Sequence, residues 1–354
     1  MVAAVTLYAP TTAMQVLRTR YLGKMSDVPG GSQIDNPASP SRTEVFSCGR
    51  SPLFQSAAVC VLMSASVVGC AGGDQIGTEE SNLEPNGGDH GAPPPDSRGA
   101  QWSKDAGKKG SSGSPVLVYH GGPVQNSTTY VEAIYWGPSW GNSSFVGDKQ
   151  TGLATFYQGL GGSKYAGSNS EYTDSAGHVN TAVSYGGNHV DLSSAPKNGG
   201  RTTPILDEAC SHATKLVANG YYPVYVDSPR GHSGYCAWHS TGTCPNGTQI
   251  QFAFFYNLDG DAGCDPGSPV TSHSQGLSAL ANVSGHEWSE MVTNEHLDAW
   301  YASNGEENAD ECAWTFNGTE TFSNGSQWYV QGNFSNAAYS SSSGYDGAGC
   351  INGN

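Results

Sequence analysis

The chain has 354 residues, 36% of them hydrophobic and only 13% charged, with 48 glycines and a net charge of −16. That length allows one sizeable domain with extensions. The acidic balance argues against nucleic acid or anionic membrane surfaces as partners, and low charge with abundant Gly, Ser, Asn, Tyr and Trp points to a loop-rich exported protein.

Residues 51–69 form an apolar run after Arg50, about the length of a signal-peptide core. The run ends in Val67-Val68-Gly69-Cys70, which matches a bacterial lipobox in which Cys70 would carry the lipid anchor; the alternative is an ordinary secretory signal cut near Ala71. A signal that deep in the chain implies that residues 1–50 hold a mis-assigned start, with Val45 or Met25 as the true one, plus the basic flank of the signal. The mature protein is then expected outside the cytoplasm, secreted or anchored at the surface, and monomeric. Residues 71–113, rich in Gly, Pro, Ser, Asp and Lys, read as a disordered linker, and residues 114–354 as the folded domain.

Within the domain, residues 115–120 and 129–136 are β-branched and aromatic and read as strands. Residues 148–160 read as a helix stopped by Gly161-Gly162, while 163–201 carries no clear period. Residues 203–218 read as a helix with Pro204 in its first turn, followed by strands at 221–226 and 249–256, the latter apolar on both faces and so expected to be buried. A helix over 276–291 follows, with Ser272 and Gln275 as a candidate capping box, and a short strand is expected at 327–330. Six cysteines lie outside the leader (Cys210, Cys236, Cys244, Cys264, Cys312 and Cys350), an even number that reads as three disulfides in an exported chain. Fifteen connectivities are open to them; Cys236 with Cys244 and Cys312 with Cys350 are the pairs expected.

The chemistry concentrates on the helix over 276–291, which holds His286-Glu287-x-x-Glu290. Positions i and i+4 share one helix face, so His286 and Glu290 can grip one metal ion and Glu287 can act on its water, as in zinc peptidases with His-Glu-x-x-His. No Lys or Arg follows Arg230, yet thirteen Asp and Glu do, eight of them from Glu287 to Glu311. Such crowding calls for a cation. A third ligand is expected either from His296, at metzincin-like spacing, or from Glu307 or Asp310 in the next segment, where Asp310 can instead orient His286. Tyr301 is a candidate donor to the oxyanion, beside Trp300. Asp259, Asp261 and Asp265 form a candidate calcium loop; His239 and His120 read as structural histidines.

From about residue 119 to 350, two thirds of the chain, the sequence resembles the phosphate-induced protein 1 (exordium-like) family in a microbial form. The resemblance is carried by His120-Gly-Gly-Pro-Val124, Ile134-Tyr-Trp-Gly137, Tyr235-Cys-Ala-Trp-His239, His286-Glu-x-x-Glu290-x-x-Thr293, Ala299-Trp-Tyr301 and Glu307-Asn-Ala-Asp310-x-Cys312. It implies an extracellular protein, wall-associated in plants and bearing a zincin-type helix in microbes. The expected fold is mixed α/β (α+β), a zincin-like mixed sheet with a long metal-site helix, stabilised by disulfides. The expected function is a surface-anchored zinc metallopeptidase-like hydrolase of extended peptides. The alternative is a non-catalytic binding protein for cell wall or glycan, with a structural acidic site that is empty or filled by calcium.

Overall fold

Five strands make one twisted sheet in the computed structural model, which describes residues 93–106 and 114–353. The elements in chain order are β1 (Val118–Tyr119), β2 (Thr129–Trp136), α1 (Ser143–Val146), α2 (Lys149–Leu160), α3 (Lys164–Gly167), β3 (Val183–Asp191), α4 (Thr203–His212), β4 (Tyr221–Pro229), β5 (Ala237–Thr243), β6 (Gln249–Asn257), α5 (Gln275–Thr293) and β7 (Trp300–Tyr301), followed by short strands and one short helix. The sheet order is β3-β2-β4-β6-β5; β5 alone runs antiparallel, and it forms one edge. The expected mixed α/β, disulfide-stabilised fold is therefore the observed one.

Both faces of the sheet are covered at β6, which is buried from Ile250 to Tyr256 and apolar on both faces over Phe252–Phe255. On one face, Phe252 and Phe254 pack on Trp238 of β5, with α4 beyond them. On the other, Phe255 stacks on Tyr225, whose hydroxyl lies 2.8 Å from both Tyr157 of α2 and Ser284 of α5. Alternation along β5 then decides where His239 points. It lies opposite Ala253, two residues from the Ala237–Phe255 pair, and so shares the α5 face.

Helix α5 is buried on all sides from Gly276 to Thr293. Small residues permit this: a Cβ on Gly152 of α2 would stand 2.3 Å from the Leu277 side chain. The N-cap is Ser274, not Ser272, and its hydroxyl accepts from Leu277 N at 3.1 Å. Gln275 turns away instead to accept from Gly260 N at 2.6 Å.

Other expectations are corrected by tertiary contacts. Residues 115–120 yield only two strand residues, because Leu117 exchanges both backbone groups with the side chain of Asn336 at 3.0 and 2.8 Å. The helix from Thr203 stops at His212, beyond which the Tyr222 hydroxyl accepts from Val217 N and donates to Lys215 O. Strand β3, not foreseen, is a half-exposed edge whose Gly186-Gly187 pair blurs its alternation, Gly186 being the extra residue of a bulge opposite Val131 and Glu132 of β2. The disulfides are Cys210–Cys244, Cys236–Cys264 and Cys312–Cys350; the expected Cys236–Cys244 pair fails because Cys244 ends the β5 side of a hairpin that faces α4.

Part of the expected linker is folded. Residues 93–106 lie on the domain, with Arg98 opposite His239 and Trp102 opposite Tyr235. Gln101 and Ser103 are buried there. The expected start, signal and lipobox fall on residues 1–92, outside the described residues. No described helix is long and apolar enough to cross a membrane.

Just past α5, burial and the Asp174 carboxylate push Glu295 up to about 7 from its ordinary 4.5. The folded state thus holds a proton that the unfolded chain releases between these values, so this group's contribution favours folding at low pH and is lost as pH rises through 7. Glu295→Gln should flatten the stability–pH curve over that window and stabilise the protein at pH 8 by about 2 kcal/mol relative to wild type, read by urea melts at several pH values. Ser274→Ala should cost about 1 kcal/mol in the same melts.

Candidate metal centre

One helical turn of α5 sets His286 and Glu290 side by side, with Nε2 3.1 Å from Oε1. The loop after β7 returns Asp310 to the same imidazole, its Oδ1 3.5 Å from Nε2. That loop also brings Glu307, whose Oε2 lies 3.1 Å from His239 Nε2; the same nitrogen stands 3.8 Å from the second oxygen of Glu290. Glu290 therefore joins two triads, His286–Glu290–Asp310 and His239–Glu290–Glu307, each with donor atoms within 4.8 Å of one another. Either triad could hold a metal ion, and ions in both would be bridged by Glu290.

The loop is fixed by its own hydrogen bonds. Asp310 N donates to Glu290 Oε1 at 2.9 Å, Glu307 N to Asp310 Oδ2 at 3.0 Å, and the Asn294 amide to Glu307 Oε1. Beneath it, Asn308 Nδ2 donates to Asn169 at 2.6 Å, and the Cys312–Cys350 disulfide ties its end. The Gln331 amide meets His286 Nδ1 at 3.0 Å, which turns Nε2 toward the carboxylates.

The groups are sealed from water: His286, Glu287, Glu290 and Glu307 are 0% exposed and His239 is 1%. The basic groups set against these carboxylates among the described residues are imidazoles, with no Lys or Arg among them. Burial lowers the proton affinity of His286, but the Glu290 and Asp310 carboxylates outweigh it and hold the ring's affinity well above normal. Burial likewise pushes Glu287 and Glu290 well up, with the Asp310 charge adding to both. The cluster thus keeps protons unless another cation replaces them.

The donor set fits a divalent metal. Atoms bound tetrahedrally at ~2.1 Å lie about 3.4 Å apart, and the observed separations of 3.1 to 3.8 Å bracket that value. Buried His286 Nε2, Glu290 Oε2 and Glu287 Oε2 lack hydrogen-bond partners. Imidazole with carboxylate suits zinc and its first-row neighbours.

Of the residues expected from sequence, His286, Glu290, Glu307 and Asp310 meet, with Glu287 adjoining them. His296 joins neither triad, since α5 ends at Thr293 and Asn294 leaves helical geometry two residues before it. Tyr301 stacks on His120 at 3.6 Å and carries Arg98 over its ring at 4.4 Å. The calcium loop does not form, because Arg230 grips Asp261 at 2.7 and 3.0 Å and Lys149 takes Asp259. Asp265 joins no metal-binding group among the described residues. His239, read as structural, belongs to the centre; its place on the α5 face of β5 was the available signal.

A separate group, Asp191, Glu208 and His212, meets at the opposite edge of the sheet, with His212 Nε2 3.8 and 3.7 Å from the two carboxylates. Burial and the Asp191 charge push Glu208 up to about 7.

Metal ligands must be deprotonated, so binding of a divalent metal should tighten as pH rises and release protons. Calorimetry in two buffers of different ionisation enthalpy should show that release, and it should shrink in Glu290→Gln. No family model, curated protein or solved structure matches this chain, and its function is therefore read from the chemistry of this centre.

Proposed function

We propose that this chain is an exported, surface-anchored zinc-dependent hydrolase of the metallopeptidase kind, acting on extended peptides. The observation that carries the reading is the convergence of two imidazoles and two carboxylates on Glu290, with Glu287 beside them and no Lys or Arg against them among the described residues. His286, Glu290 and Asp310 would hold the ion, with His239 and Glu307 on the other side of Glu290. Bound there, zinc supplies Lewis acidity toward a carbonyl oxygen and acidifies water.

Glu287 is the proton carrier. Its Oε2 has no hydrogen-bond partner, and burial raises its proton affinity well above that of a free carboxylate. It can take a proton from water and deliver it to a leaving amine. The carboxylate ligand Glu290 brings more negative charge than the imidazole at the equivalent place in zinc peptidases, which tempers the electrophile. Asn294 and Gln331 keep Glu307 and His286 oriented.

A second reading is a non-catalytic wall- or glycan-associated protein of the exordium-like kind. It is favoured by the burial of His286, Glu287, Glu290, Glu307 and His239, and by Gln331 donating to His286 Nδ1, which leaves a proton on the Nε2 that faces Glu290 and Asp310.

Metal analysis with two variants separates these. Glu287→Gln should retain zinc and lose at least ~100-fold in peptide hydrolysis; His286→Ala should lose both. A wild type that takes up no zinc under any pH sinks the hydrolase.

A further inference from the structure

The centre as folded admits no substrate, and what closes it is part of the chain. β5 is an edge of the sheet, and residues 98–103 lie antiparallel along it in one constant register. Arg98 N donates to His239 O at 3.0 Å, His239 N to Arg98 O at 3.2 Å, Cys236 N to Gln101 O at 2.7 Å, and Ser103 N to Gly234 O at 2.9 Å. Donors come equally from both partners, as when an extended peptide adds a strand to a sheet edge.

The same stretch passes over the metal ligands. Gln101 N reaches Glu287 Oε1 at 3.4 Å. Gly99 adopts φ 53°, and a Cβ there would stand 1.8 Å from Glu290 Oε2 and 2.7 Å from the His239 ring. Only glycine fits at that point, for conformation and for space together. Two flanking contacts hold the stretch from the other side: Arg98 lies over Tyr301 at 4.4 Å, and Trp314 Nε1 donates to Trp102 O at 2.8 Å.

We infer that the edge of β5 above the centre is a peptide-binding groove, that residues 98–103 occupy it in cis, and that a peptide bound from outside carries glycine at the place of Gly99. From the reading of the site as a peptidase-like centre this takes only that the ligand is an extended peptide. The chain is then latent until residues 98–103 leave the groove.

The test uses the full chain with two substitutions that open the groove. Gly99→Trp forces residues 98–103 off Glu290; Ser103→Pro removes the donor to Gly234 without adding bulk at the centre, keeps Arg98, and serves if Gly99→Trp does not fold. Opening is read by trypsin cleavage after Arg98, which should quicken at least tenfold. The probe is a labelled nine-residue peptide, Asp-Ser-Arg-Gly-Ala-Gln-Trp-Ser-Lys, copied from residues 96–104, followed by fluorescence anisotropy with zinc present. Opened variants should bind it at least tenfold more tightly than wild type, and a peptide with alanine in place of the glycine should bind at least tenfold more weakly. Unchanged cleavage in both variants, equal binding by wild type and opened chains, or indifference to the glycine overturns the inference. Binding without hydrolysis supports the groove and removes the hydrolase, so the two readings fail separately.

Discussion

The structure turns on one electrostatic constraint: three fully buried carboxylates and the partly exposed Asp310 sit together, set against two imidazoles and no Lys or Arg among the described residues. Charges that close in low dielectric repel strongly, and desolvation adds to the cost. The fold answers with hydrogen bonds from Asn294, Gln331 and the backbone of Asp310, and with proton affinities displaced upward. The hydrogen bonds orient the groups, and the retained protons offset their charge. A divalent cation would do both at once, which is why the arrangement reads as a binding centre more readily than as a packed core.

Elsewhere the chain meets its acidic groups with ordinary cations. Arg230 on Asp261 and Lys149 on Asp259 dispose of the loop that looked like a calcium site. The contrast is informative because both regions are acidic in sequence. Basic residues from the first two thirds of the chain fold onto one and not the other.

Access is governed by the sheet edge. A strand at the edge of a sheet presents unpaired backbone groups in the plane of the sheet, and such an edge recruits another strand. Here the recruit comes from the stretch ahead of the domain, and Gly99 allows it to pass within contact of the ligands. The conformation that makes the centre inaccessible is thus the one an incoming peptide would copy.

Much of the fold was legible in the sequence. β2 and the buried β6 declared themselves through β-branched and aromatic runs, α5 through its period, and the His286–Glu290 pair through i, i+4 spacing, because all of these are set by neighbours a few residues apart. What only the tertiary structure decided was non-local: that His239 faces α5, that Glu307 and Asp310 both return to Glu290 while His296 does not, that Cys236 pairs with Cys264, and that residues 98–103 lie across the centre. Each depends on which face of a strand or which end of a loop meets a partner far along the chain, and local periodicity carries no record of that meeting.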